Sequence, residues 1–139
     1  MIGLDTNVLI PLLVKSSETH QRARSWLEAN EAPLSTTSTN LGETLRLLTH
    51  PRVFRRPMRL ANAVRLLRRF LDAYSVSVLE EEEEWLDSLE SLAAEIPALR
   101  GNDVFDARIA LTLKFNGVKA FCTLDADFRR FPFLDIETI

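Results

Sequence analysis

Short apolar runs alternate along this chain with longer stretches of helical periodicity, and that alternation leaves few folds open. Met1–Leu4, Pro33–Thr36, Ser75–Leu79 and Ala120–Leu124 each read as a strand, and Leu134–Ile136 as a fifth at the sheet edge. Between them fall helical patterns. Asn7–Val14 is almost wholly apolar and predicts a buried helix, whereas Thr19–Ala29 spaces Ala23, Trp26 and Leu27 on one side. Ser38 or Thr39 can cap a helix through Leu41, Leu45, Leu47 and Leu48 that stops before Pro51. Arg59–Tyr74 is strongly amphipathic, with Leu60, Val64, Leu67 and Leu71 expected on its packed face. Glu82–Glu95 and Asp103–Asn116 complete the set, the last ended by Gly117. Strands alternating with helices predict an α/β domain with a largely parallel sheet of four to five strands. No repeat, linker or low-complexity tract interrupts residues 1–139, which read as one domain.

Composition narrows the chemistry. A single cysteine, Cys122, excludes an internal disulfide and a thiolate zinc site, and its neighbours Ala120 and Phe121 predict a buried, inert thiol. His20 and His50 lie in polar surroundings without a helical partner and are not expected to be catalytic. No run approaches the ~20 apolar residues that span a bilayer. No basic segment leads into an apolar core at the N-terminus, so a cytoplasmic location is expected. The net charge of −3 hides an uneven distribution: seven arginines lie between Arg52 and Arg69, and five glutamates occupy 80–84. That glutamate run is expected to open a helix, where the positive end of the dipole favours acids.

Ligand sites in open parallel sheets form beyond the carboxyl ends of the strands. Asp5 directly follows the first expected strand and Asp125 the fourth, while Glu43 lies one turn into the helix after the second. Asp106 sits in Asp103-Val104-Phe105-Asp106-Ala107-Arg108-Ile109-Ala110-Leu111, where an aspartate must be paired or bound to a cation. Asp103 projects on the same side of that helix. Several carboxylates without His or Cys suit a hard cation such as Mg²⁺ or Mn²⁺. Two such ions can activate a water and stabilise the leaving oxygen of a phosphodiester. Each residue also has a plainer reading. Asp103 can be an N-cap with Asp106 three residues in, Asp125 and Asp127 can shape a turn, Glu43 can be an exposed helix position, and Asp5-Thr6-Asn7 can cap the first helix.

Taken in order, these pieces resemble the PIN-domain ribonucleases, and in particular the VapC-type toxins of bacterial toxin–antitoxin pairs. The matching stretches are Leu4-Asp5-Thr6-Asn7-Val8-Leu9-Ile10, Asn40-Leu41-Gly42-Glu43, Leu48-Thr49-His50-Pro51-Arg52-Val53-Phe54, Asp103-Val104-Phe105-Asp106-Ala107, and Thr123-Leu124-Asp125-Ala126-Asp127-Phe128 before Arg130-Phe131-Pro132. The resemblance implies a PIN-like three-layer sandwich, a parallel sheet flanked by helices. It carries the family's acidic quartet onto Asp5, Glu43, Asp106 and Asp125, with Asp127 an accessory metal ligand. Asn7, Thr123 and Asp103 become supporting residues, outside the ligand set itself. The family commonly has His or a similar residue just before the helical Asp-Ala pair, where this chain has Phe105.

What the resemblance further implies is one or two Mg²⁺ or Mn²⁺ ions, an RNA substrate cut to leave a 5′-phosphate, a homodimer, and a cognate antitoxin whose C-terminal segment covers the site. Arg59, Arg65 and Arg69 are then candidate phosphate contacts on the solvent face of their helix, although the same helix suits the antitoxin. Two other readings stand beside this one. A non-catalytic PIN-like module would bind RNA or protein without cutting, but an intact quartet argues against it. A phosphotransfer domain using Asp5 as nucleophile would favour a second aspartate at position 7, where Asn7 stands.

Overall fold

A computed structural model describes residues 1–139. Five strands, β1 (Ile2–Leu4), β2 (Leu34–Thr37), β3 (Ser77–Leu79), β4 (Ala120–Cys122) and β5 (Asp135–Glu137), form one sheet in the order β3-β2-β1-β4-β5. Every neighbouring pair is parallel. The connecting helices are α1 (Thr6–Leu13), α2 (His20–Ala29), α3 (Ser38–Leu48), α4 (Leu60–Ala73), α5 (Trp85–Glu95) and α6 (Asp103–Phe115). The expected α/β architecture, with its parallel sheet between helical layers, is what the chain adopts.

The sheet separates two apolar clusters. Ile2, Leu4 and Cys122 pack with Val8, Leu9 and Leu12 of α1, Ala23 and Leu27 of α2, and Phe70 of α4. On the opposite face Phe121 packs with Ala107, Ile109, Ala110 and Leu113 of α6, Leu92 of α5, and Phe128 and Phe131. Residues of alternate parity in a strand point to opposite faces, so Gly3 and Phe121, paired in register, share the α6 side. A Cβ on Gly3 would lie 2.6 Å from Leu113 Cδ2 and 3.0 Å from Phe121 Cδ2. Glycine is what lets α6 approach β1 this closely. Gly3→Ala is expected to cost about 1–3 kcal/mol by overpacking, read as a lower urea midpoint with an unchanged slope; an unshifted midpoint would contradict it.

Five local expectations need correction. The third strand starts at Ser77 rather than Ser75, because Ser75 has a left-handed backbone (φ 50°) that terminates α4, with the Val76 N–H donating to Leu71 O at 2.9 Å. The glutamate run precedes its helix instead of opening it: α5 begins at Trp85, and Glu81 reaches across to Arg108. The buried stripe of α4 is Ala63, Leu67 and Phe70, while Leu60 is exposed, since a small alanine and an aromatic take the packed side that the leucine spacing suggested. The cap of α3 is Thr37, whose hydroxyl accepts from the Asn40 N–H at 3.1 Å, so β2 is shifted by one residue, to Leu34–Thr37, from the expected Pro33–Thr36. Asn102 rather than Asp103 precedes α6, and its side chain makes no capping bond.

Cys122 is fully buried, and burial pushes its thiol up to about 12, in keeping with an inert group. His20 contacts the Pro11 carbonyl and His50 accepts the Arg52 N–H.

Candidate active site

The carboxyl ends of β1, β2 and β4 lie level, because Gly3 pairs with Ser35 and Leu4 pairs with Cys122. The residues that follow each strand therefore meet. Asp5, one step beyond β1, is 5% exposed and stands beside Thr123, one step beyond β4. Its Oδ1 accepts the Thr6 N–H at 2.8 Å and the Asn40 side-chain amide at 3.0 Å, and its Oδ2 accepts the Thr123 hydroxyl at 2.5 Å. The aspartate thus caps α1 and reaches into the site, so the two readings of Asp5 describe one geometry.

Thr123 is committed on every side. Its hydroxyl donates to Asp5 and accepts from Asn7 Nδ2 at 3.2 Å and from the Asp125 N–H at 2.9 Å. Asn7 Oδ1 accepts the Leu124 N–H at 2.9 Å, tying α1 to the segment after β4. That segment is also pinned from below: the Phe121 and Phe128 rings lie 4.8 Å apart and those of Phe128 and Phe131 5.8 Å. Asp125 caps the short 3₁₀ turn at Ala126–Arg130 by accepting the Asp127 N–H at 2.9 Å, while Asp127 itself is exposed.

Glu43 arrives from α3. Its Oε2 accepts the Thr6 hydroxyl at 2.8 Å, and Thr6 in turn accepts from Asn40 Nδ2 at 3.1 Å. Asn40, fully buried, completes the chain by accepting the Thr37 hydroxyl at 2.7 Å. Asp106 faces Glu43 from α6, and its Oδ2 accepts Arg130 at 2.7 Å, while the other guanidinium nitrogen of Arg130 lies 3.0 Å from Asp103. Between α3 and α6 opens a cavity of about 850 Å³, with Glu43 and Asp106 on its walls.

Electrostatics reports the same convergence. Burial pushes Asp5 up to about 6, opposed by its hydrogen bonds to Thr123 and Thr6 and reinforced by the negative charges of Glu43 and Asp106. Asp106 is also raised, first by partial burial; Arg130 opposes this, and Asp125, Asp103 and Glu43 add to it. Asp103 is lowered by the Arg100 N–H and by Arg130.

Asp5, Glu43, Asp106 and Asp125 are therefore brought to one edge of the sheet from four separate segments, with Thr123 bonded directly to Asp5 and to the Asp125 N–H, and Asn7 one bond further out, on Thr123 and the Leu124 N–H. Arg59, Arg65 and Arg69 are not. All three are exposed at or along α4 and line no part of the acidic cavity. The arginines that do border the carboxylates are Arg46, Arg108 and Arg130. Asn40 and Arg130 lie in the family-like stretches, but neither is singled out there as a partner of the carboxylates. The hint for Asn40 is a polar residue three positions before Glu43 on the same helix face.

As a donor set the cluster is all oxygen and negative, which fits Mg²⁺ or Mn²⁺ and excludes a soft-metal site. No three acidic side chains close into a ready-made cage. Glu43 and Asp106 each commit one oxygen to a hydrogen bond, so each keeps another for a cation.

A family model described as PIN domain matches residues 2–134. Ribonuclease VapC24 of Mycobacterium tuberculosis is 30% identical over 129 residues, which cover 88% of this chain and 85% of that protein. Among solved structures, VapC20 of Mycobacterium tuberculosis, described as a sarcin-ricin loop cleaving toxin, superposes with a TM-score of 0.68 at 24% identity over 94% of both chains. VapBC-1 of nontypeable Haemophilus influenzae gives a TM-score of 0.64 at 18% identity, covering 99% of this chain and 98% of that one. At such identities the two solved structures speak for the fold alone.

Proposed function

The chain belongs to the PIN-domain family and is related to the VapC ribonucleases, and from that premise we propose that it is a divalent-metal-dependent endoribonuclease, the toxin of a VapBC-type pair. The observation that carries the reading is the meeting of Asp5, Glu43, Asp106 and Asp125 at the carboxyl edge of the sheet, with Asp5 raised to about 6 by burial and by its acidic neighbours. Accumulated negative charge of this kind is compensated by a hard cation.

In this mechanism Asp5, Glu43, Asp106 and Asp125 would hold one or two Mg²⁺ or Mn²⁺ ions, and Asp127 would serve as an auxiliary ligand. When bound, such ions make a water acidic enough to attack and stabilise charge on a phosphodiester. The rest is done by the protein. Thr123 and Asn40 fix the rotamer of Asp5, Thr6 fixes Glu43, and Arg130 fixes Asp106, so that carboxylates which repel one another stay convergent. Asn7 couples α1 to Asp125 through Thr123 and Leu124. The in-line displacement leaves the phosphate on the 5′ side of the downstream fragment.

A cognate antitoxin and a homodimer are the partners we propose, on the strength of the family and of neighbours solved as toxin–antitoxin assemblies. A cytoplasmic setting accords with an RNA substrate, and no helix is long and apolar enough to cross a membrane.

Purified protein incubated with total cellular RNA and Mn²⁺ is expected to cleave it, with 5′-phosphate ends and full suppression by EDTA. Cleavage indifferent to EDTA would overturn the metal mechanism. No cleavage of any RNA pool by the metal-loaded protein, with the metal shown bound by calorimetry, would favour the non-catalytic module.

A further inference from the structure

We infer that Phe105 and Arg46 form a nucleotide subsite beside the carboxylates: the Phe105 ring stacks a base of single-stranded RNA next to the scissile bond, and Arg46 holds an adjacent phosphate. This rests on the ribonuclease reading and assigns the substrate contact that reading lacks.

Phe105 is 54% exposed, an unusual state for a large ring one residue from a half-buried aspartate. It is the single apolar residue lining the acidic cavity, whose other walls include Ser38, Thr39, Asn102 and Glu43. A ring in a polar cavity is poorly matched to an apolar protein side chain, which wants further apolar neighbours. It is well matched to a nucleobase, which brings a π-face for the ring and a polar edge for hydroxyl and amide groups. Asn102 makes no capping bond and keeps its amide free for that edge.

Of the three arginines near the carboxylates, Arg46 is the least committed. Arg130 is held by Asp103 and Asp106. Arg108 grips both oxygens of Glu81 at 2.7 and 2.9 Å and stacks on Trp85, 4.5 Å from the ring centre. Arg46 approaches Glu43 only to 4.0 Å and its side chain is 60% exposed. It stands one turn from Glu43 on α3, so a phosphate held by Arg46 lies next to the carboxylates. Phe105 lines the same cavity from α6.

The test measures affinity without turnover. In an Asp5→Asn background, fluorescence anisotropy compares a labelled single-stranded RNA of mixed sequence with the same backbone lacking bases. Phe105→Ala is expected to weaken the base-bearing strand by about 5- to 100-fold, leaving the abasic strand unaffected, and Phe105→Trp is expected to retain affinity. Arg46→Gln is expected to weaken both strands and to flatten the salt dependence by about 0.7 in slope, one phosphate contact. Equal losses on both strands with Phe105→Ala, or no loss, would overturn the stacking role while leaving the ribonuclease reading intact. Should the Asp5→Asn protein bind no RNA and the wild type cut none, both would fall together. If Phe105→Ala dissociates a dimer in sedimentation and RNA affinity falls only in proportion, the ring belongs to a protein contact and the subsite is refuted.

Discussion

Asp5→Asn is expected to lower RNA cleavage by about three orders of magnitude or more, the scale on which loss of a central metal carboxylate removes transition-state charge stabilisation. The same substitution should leave the metal-free protein at least as stable as wild type at pH 8. Asp5 has a folded pKa of about 6 against an ordinary 3.8, so between about pH 4 and 6 the native state binds more protons than the unfolded chain. Stability therefore falls as pH rises through that window, and above it the buried charge costs on the order of 3 kcal/mol. An asparagine never incurs that cost. Part of the gain is offset, because its amide would face the Thr123 hydroxyl where the carboxylate had accepted. Thermal melts in EDTA at pH 8 and pH 4.5 read the difference: the variant should gain relative to wild type at pH 8, and the gap should close at pH 4.5. Cleavage within tenfold of wild type would refute the role of Asp5, and a gap independent of pH would refute its buried charge.

Asn40→Ala is expected to cost about 2–4 kcal/mol, from the cavity and from the polar groups left unpaired. The Thr37 hydroxyl loses its acceptor, and Asp5 and Thr6 each lose a donor. Because Thr6 is what holds Glu43, the defect reaches two carboxylates at once, and Mn²⁺ affinity should fall about 10- to 100-fold by titration calorimetry. Asn40→Asp keeps the volume but sets a second carboxylate against Asp5. It should be markedly less stable at pH 8 than at pH 5, since like charges at close range disfavour joint ionisation. Urea denaturation of the three proteins at both pH values decides the matter; an Asn40→Ala protein with the wild-type midpoint and metal affinity would show that the amide positions nothing.

Local pattern went far in this chain because its elements are short and clearly punctuated. Strand–helix alternation identified the parallel sheet, and Asp5, Glu43, Asp106 and Asp125 stood out because carboxylates at strand ends or in apolar helices need a reason. Errors of boundary arose where a long-range partner competed with a local rule. The glutamates of 80–84 look like the start of a helix, yet Glu81 is drawn to Arg108, twenty-seven residues later in the chain. Ser75 belongs to an alternating pattern, yet the end of α4 needs a left-handed residue there.

By itself, then, the sequence determined the order of elements, the parallel sheet, and which acids are available at its carboxyl edge, because these depend on periodicity and on residue type near a strand end. Tertiary structure alone decided which cation meets which acid. Arg130, and not any arginine of α4, clamps Asp106, and Arg46 meets Glu43 only at 4.0 Å beside the cavity. It also decided that the amide of Asn40 supports Asp5 from thirty-five residues away. Such contacts depend on the register of β1 against β2 and β4 and on how closely α6 packs over Gly3, neither of which any local stretch of residues encodes.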